Sequence, residues 1–265
     1  MEDVQSRPDS RGIPLERVGV SGLRYPIVVL DRSQSKQQTV ADLQISVSLP
    51  PHVKGTHMSR FIEVLDEHRG EVTVNTIPAI LRRIRDRLEA EAAQLKVRFP
   101  YFVEREAPVS GATSLMDYQC GFSGSLDADR EEFSVRVQVP VTSLCPCSKA
   151  ISDYGAHNQR GYVDLKVRTN VPEDLIWIEE LIDIGESAGS SPVYPLLKRA
   201  DERHVTMAAY DNPAFVEDMV RSAAESLKRD PRISAFTVRV ENHESIHNHL
   251  AFAETSWIRP SGAEC

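Results

Sequence analysis

Residues 133–161 read FSVRVQVPVTSLCPCSKAISDYGAHNQRG, a strand followed by a chemically loaded loop. Phe133, Val135, Val137 and Val139 alternate with Ser134, Arg136 and Gln138, the period-2 signature of a strand with one buried face. Pro140 and Pro146 lack a backbone N–H and are expected to end the pairing. The chain then leaves the sheet edge as a loop carrying Cys145, Cys147 and His157, soft or borderline metal ligands once deprotonated. A loop on a rigid sheet is where sites usually sit.

Working outward, the chain repeats one order of elements. In the first half, a strand near Val18–Leu30 precedes one in which Leu43, Ile45, Val47 and Leu49 alternate with polar residues. Two helical patterns follow; the clearer opens at Thr76 and Pro78 and carries Ile77, Leu81, Ile84 and Leu88 on one face. Strands near Leu95–Glu104 and Ser114–Phe122 complete that half. The second half has the strand ending at Val139, another with Val163, Leu165 and Val167 facing one way, and two helices. The first of these helices is capped by Asp174. The second opens at Asn212 with Pro213 in its first turn, and Phe215, Val216, Met219, Val220, Ala223 and Leu227 form its apolar stripe. Strands at Phe236–Val240 and Leu250–Trp257 close the chain. Twice the pattern is ββααββ. Consecutive strands with helices grouped between pairs predict an α+β fold, antiparallel sheets with helices on one face, and argue against parallel βαβ winding. The expected organisation is a flexible segment over 1–16, a first unit over 17–128 and a second over 129–265.

With 265 residues, 41% hydrophobic and 26% charged, the chain has the composition of a soluble globular protein. No apolar run approaches the roughly 20 residues of a membrane helix, and the polar opening MEDVQSRPDSRG lacks the apolar stretch of a secretory signal. A cytoplasmic, reducing setting is expected, with no membrane partner and the four cysteines as free thiols or ligands. A formal net charge of -8 argues against a nucleic-acid binder, while leaving room for a small polyanion held by local basic residues.

On residue type alone, Cys145 is a metal ligand, a nucleophile or a small core residue. Cys120 and Cys265 read as core residues, and Cys147 as a neighbour of the site. His243, His247 and His249 are spaced by even numbers and share one face if the segment is extended. Histidine suits proton transfer near neutral pH.

The segment SLCPCSKAISDYGAHNQRG resembles the signature of type IB GTP cyclohydrolase I. So do DVQSRPDSRGIPLERVGVSGLRYPI at the start, KGTHMSRFIE from Lys54, LLKRADERHVT from Leu196, NPAFVED from Asn212 and ENHESIHNHLA from Glu241. The resemblance implies the tunnelling fold, whose tandem ββααββ units assemble into an oligomeric barrel, here a homotetramer with sites at subunit interfaces. It implies Cys145, His157 and Glu202 as ligands of a divalent metal, zinc by default with manganese or iron as alternatives. One thiolate, one imidazole and one carboxylate leave a position for water, as in catalytic rather than closed sites. It also implies that Glu217 anchors the guanine of GTP, an ionised carboxylate being able to accept two parallel hydrogen bonds. His247 moves protons or serves as an additional metal ligand, and Lys54, Arg60, Lys198 and Arg199 are candidates for the triphosphate. The implied reaction releases formate and yields 7,8-dihydroneopterin triphosphate, the first step of tetrahydrofolate synthesis, with Cys145, His247 and Glu217 as catalytic residues. Two alternatives keep part of this reading. One makes Cys145 a covalent nucleophile on a purine-like substrate, as in the related nitrile reductase of queuosine synthesis. The other makes the Cys and His residues a non-catalytic metal clip in a scaffold. The chain departs from many family members at Ser191, where they carry cysteine.

Overall fold

A computed structural model describes residues 5, 7–68, 71–128, 130–169 and 175–260. The chain forms two compact units, Met1–Pro100 with Gly121–Val135, and Tyr101–Cys120 with Arg136–Cys265.

In the first unit, β1 (Leu15–Asp31) and β2 (Ser35–Leu49) form a long antiparallel hairpin. Its turn is fixed by Asp31, whose Oδ1 accepts the N–H groups of Ser33 and Gln34 at 2.8 and 2.7 Å, and by Ser35 in the left-handed region at φ 68. β2 pairs antiparallel with β3 (Ala92–Glu106), from Asp42 opposite Arg98 to Val47 opposite Ala93. Alternate residues Ala41, Leu43, Ile45 and Val47 are buried, as are Ala93, Leu95, Val97 and Phe99. Helices α1 (Met58–Glu67) and α2 (Ile77–Arg87) bury Phe61, Val64, Leu65, Ile77, Ile80, Leu81 and Ile84. On their solvent side they are joined by Arg83–Glu67 and Arg87–Glu63 ion pairs. The first unit also holds the ends of β4 (Thr113–Asp127) and β5 (Arg130–Leu144), where Phe99, Phe122 and Phe133 pack in series with tilted rings, their centroids 5.1 and 5.7 Å apart. Near the N-terminus, Gln5, Arg7 and Asp9 exchange backbone hydrogen bonds with Gly55, Lys54 and His52.

In the second unit, β6 (Asn158–Thr169) pairs antiparallel with β8 (Ile233–Asn242), and β8 with β9 (Ala251–Ile258). Helix α4 (Ile178–Ala188) lies so close to β5 that a Cβ on Gly185 would sit 2.6 to 3.1 Å from the Val139 side chain. Helix α6 (Val216–Arg229) buries Val216, Met219, Val220, Ala223 and Leu227 of the predicted stripe against the sheet, whereas Phe215, outside the helix at its N-cap, is exposed. Between these two helices lie a two-residue strand β7 (Ser191–Pro192), paired with β5, and helix α5 (Arg199–Asp211). A short helix α3 (Pro146–Ile151) sits between β5 and β6.

The observed class is therefore α+β with antiparallel pairing and helices against the strands, but several boundaries move. Pro140 does not end its strand: β5 continues to Leu144, because Val141 and Ser143 extend the buried series and Thr142 and Val141 find partners in β7. A proline costs a strand only the one N–H it lacks. The helix predicted to open at Asn212 starts at Val216, with Phe215 as N-cap; Asn212 instead ends α5, its amide donating to the Gly189 carbonyl at 3.1 Å. The second half has four helices among the described residues rather than two. Asp174, expected as a cap, lies outside the described residues.

Helix α5 is anchored by one carboxylate. Asp201 is fully buried and accepts four hydrogen bonds, from the N–H groups of Val109, Ser110 and Lys198 and from the Ser110 hydroxyl, at 2.6 to 2.8 Å. It thus caps α5 and holds the tip of the β3–β4 hairpin at once. Burial by itself pushes its pKa up, but the Ser110 hydroxyl and the three N–H groups outweigh that and hold it well below the usual carboxylate range. A depressed folded-state pKa adds stability that is present above the unfolded value of roughly 3.9 and is lost as pH falls through the folded one. Asp201→Asn is therefore expected to lower the urea midpoint at pH 7, with the gap to wild type closing as pH drops below about 4. An equal gap at pH 7 and pH 3 would show that the charge is not what holds the helix.

Candidate active site

The segment between β5 and β6 leaves the sheet at Cys145 and returns at His157, and these two residues are tied together. The Cys145 N–H donates to the His157 carbonyl at 3.1 Å. Ser148 adds a second tie: its hydroxyl accepts the His157 N–H at 3.2 Å and donates to the Cys145 carbonyl at 3.1 Å. Cys145 caps α3, with Pro146 in the first helical position and its Sγ accepting the Ser148 N–H at 3.5 Å. Lys149 reaches from α3 to the far end of α5, donating to the Tyr210 carbonyl at 2.5 Å with its ammonium 4.2 Å from that ring. Cys145 is half-buried and Cys147 exposed, whereas Cys120 is buried in β4 and burial pushes its thiol pKa strongly upward. Reactivity thus belongs to the α3 segment.

Three polar side chains that sequence reasoning passed over lie beneath this segment. His157 Nδ1 is 2.7 Å from Gln159 Oε1. Gln159 Nε2 donates to Ser143 Oγ at 3.4 Å, Asn242 Nδ2 donates to the same oxygen at 2.7 Å, and Ser143 donates to the Ala214 carbonyl at 3.2 Å. All three side chains are buried. A signal for them is present in the sequence. Ser143 continues the inward series Val137, Val139, Val141; Gln159 precedes Val163, Leu165, Val167 in phase; Asn242 follows Val238 and Val240. A polar residue at an inward position needs a buried partner, and here three fall at corresponding strand ends.

The donors at Cys145 and His157 fit a divalent cation. They offer a sulfur and an imidazole nitrogen, and the other ring nitrogen is held by a buried carboxamide, as ligating imidazoles usually are. Glu202 stands exposed in the first turn of α5, directly after Asp201. The ligand atoms of Cys145, His157 and Glu202 are not gathered within 4.8 Å of one another; among the described residues Glu244, His247 and His249 are. That second cluster occupies a turn between β8 and β9, so the expectation of an extended segment does not hold. His247 and His249 stack at 4.8 Å, and His247 Nε2 lies 3.6 Å from Glu244 Oε2. His243 stands apart, edge-on to Tyr162 at 5.6 Å.

Glu217 is exposed in the first turn of α6 and lines a groove of about 430 Å³ with Val220, Arg221, Ala224, Lys228 and Thr255. Cys145, His157 and His247 do not line it. Lys198 and Arg199 are exposed at the start of α5, beside Glu202. Lys54 is exposed in the segment before α1, and the Arg60 guanidinium donates to the Arg87 carbonyl at 3.1 Å, at the end of α2. Ser191 is buried in β7, its carbonyl accepting from the Thr142 hydroxyl at 3.1 Å.

Comparison with known proteins places the chain in a family. The family model described as type I GTP cyclohydrolase folE2 matches residues 1–253. A GTP cyclohydrolase FolE2 of Nitrosococcus oceani is 52% identical over 253 residues, covering 96% of this chain and 94% of its own. One from Geobacter sp. strain M21 is 53% identical over 261 residues, covering 98% and 96%. Among solved structures, a highly active mutant of Bacillus sp. TB-90 urate oxidase superposes with a TM-score of 0.58 at 10% identity, covering 92% of this chain and all of that one. The uricase of Arthrobacter globiformis does so with 0.55 at 8%, covering 94% and 95%. At such identities these likenesses speak for the fold alone. The near-complete match in sequence goes further: this chain belongs to the type I GTP cyclohydrolase FolE2 family.

Proposed function

We propose that this protein is a GTP cyclohydrolase that opens the imidazole ring of guanine, releases formate and yields 7,8-dihydroneopterin triphosphate for tetrahydrofolate synthesis. The family match over residues 1–253 carries the activity. The pinning of Cys145 to His157 by one backbone hydrogen bond and by Ser148 supports a metal-dependent route.

In this reading Cys145, His157 and Glu202 hold a divalent ion, zinc by default and manganese or iron as alternatives. Such an ion supplies hydroxide near neutral pH by lowering the pKa of water to roughly 7. Glu202 stands exposed on the helix that Asp201 anchors. Glu217 accepts the paired N–H donors of guanine with its two oxygens, and the groove beside it has room for the base. His247, with Glu244 at 3.6 Å, gives a proton to the departing ring nitrogen. Lys198 and Arg199, with Lys54 and Arg60, are the candidates for the triphosphate. The groove at Glu217 and the Cys145 segment are lined by different residues of one chain, which favours sites completed between copies in a homotetrameric barrel. The charge of -8 and the absence, among the described residues, of a helix long and apolar enough to cross a membrane favour a small-molecule substrate over nucleic acid or lipid.

Incubation with GTP and Zn²⁺ or Mn²⁺ is expected to release formate and, after oxidation, pterin fluorescence. Dialysis against a chelator should abolish both and readdition of metal restore them; full activity in the chelated protein, or a need for a nicotinamide cofactor, would favour the thiol-nucleophile chemistry instead. Glu217→Ala removes two charge-assisted hydrogen bonds of about 1.5–3 kcal/mol each and is expected to weaken GTP binding by about 10² to 10⁴-fold, read by calorimetry. His247→Ala is expected to cost about 10² to 10⁴-fold in kcat with little change in GTP affinity, and an equal loss of affinity would instead make it a binding residue.

A further inference from the structure

We propose that Gln159, clamped by Ser143 and Asn242, is a positioning residue that fixes His157 with its proton on Nδ1 and its lone pair on Nε2, facing the metal position. The inference rests on His157 being a ligand and on where the hydrogens of the clamp must lie. Ser143 Oγ carries a single hydrogen, which goes to the Ala214 carbonyl at 3.2 Å. Toward its two other neighbours the oxygen therefore accepts, from Asn242 Nδ2 at 2.7 Å and from Gln159 Nε2 at 3.4 Å. With its NH₂ end turned to Ser143, Gln159 presents Oε1 to the imidazole at 2.7 Å. An amide oxygen only accepts, so the neutral ring places its hydrogen on Nδ1 and leaves Nε2 bare. A backbone carbonyl thus dictates, through two side chains, which nitrogen of His157 offers its electrons.

The clamp is built into the sheet. Gly161 pairs with Asn242 across β6 and β8, and a Cβ at Gly161 would lie 2.3 Å from Asn242 Oδ1. Only glycine there leaves room for the amide to lean toward Ser143. Gln159 is two residues from Gly161 on the same inward face, and both are buried.

The test reads the tautomer directly. In metal-free protein labelled with ¹⁵N, at a pH where His157 is neutral, two-bond nitrogen–proton correlations should show His157 protonated on Nδ1. Gln159→Leu should move the proton to Nε2 or give a mixture, while Gln159→Glu, which keeps an acceptor toward the ring, should retain Nδ1–H. Titration with Co²⁺ alone, followed by its visible absorption, should show affinity about 10- to 100-fold weaker in Gln159→Leu and close to wild type in Gln159→Glu. If Gln159→Leu fails to fold, Ser143→Ala serves in its place, since it releases the amide without touching the imidazole and should yield mixed tautomers. A wild-type ring protonated on Nε2, or an unchanged tautomer in Gln159→Leu or Ser143→Ala, overturns the proposal. Unaltered Co²⁺ affinity in His157→Ala would instead overturn the ligand reading beneath it, a result separable from the tautomer.

Discussion

Most strands of this protein have one face that must leave water and one that need not, and the helices exist in their places because of that constraint. Leu43, Ile45 and Val47 in the first unit and Val163, Leu165 and Val167 in the second are fully or almost fully buried on alternate positions. The helices supply the covering surface through stripes such as Ile77, Ile80, Leu81 and Ile84. At roughly 1.5–3 kcal/mol for each large apolar side chain buried, this alternation outweighs any single hydrogen bond or ion pair in the molecule. It also explains why polar residues on the inward face matter: each one gives up apolar burial, so it is retained only with partners or a task.

Alternation was legible before any coordinates because it depends on residue type alone. The strands at 43–49, 133–139 and 163–167 and the stripe of α6 are where their periods put them. What was not legible depends on neighbours. That the strand runs on past Pro140 reflects the partners that Val141 and Thr142 find in β7, a fact about β7 and not about proline. Asn212 looks like a helix start because asparagine often caps one, yet its amide is recruited by the Gly189 carbonyl to finish α5. The even spacing of His243, His247 and His249 pointed to one shared face, whereas the turn brings two of them together and leaves the third beside Tyr162.

The site shows the same division. Cys145, His157, Glu202, Glu217 and His247 were nominated by resemblance, and their surroundings came only with the fold. The Cys145–His157 pairing is a backbone and serine arrangement that no spacing rule encodes. The support under His157 draws on β5, β6 and β8, so its members are separated by up to 99 positions in the chain. Long-range partners of that kind leave one trace in sequence, a polar interruption of an apolar series, and that trace says where a partner is required without saying which.

The double duty of Asp201 carries an evolutionary consequence. Hairpin tips are ordinarily where a fold absorbs insertions and deletions at small cost. Here the tip at Val109 and Ser110 shares its carboxylate with the helix that presents Glu202. Lengthening that tip would take the anchor from under a proposed metal ligand, so on that proposal drift in loop length at this corner is constrained by chemistry carried elsewhere in the unit.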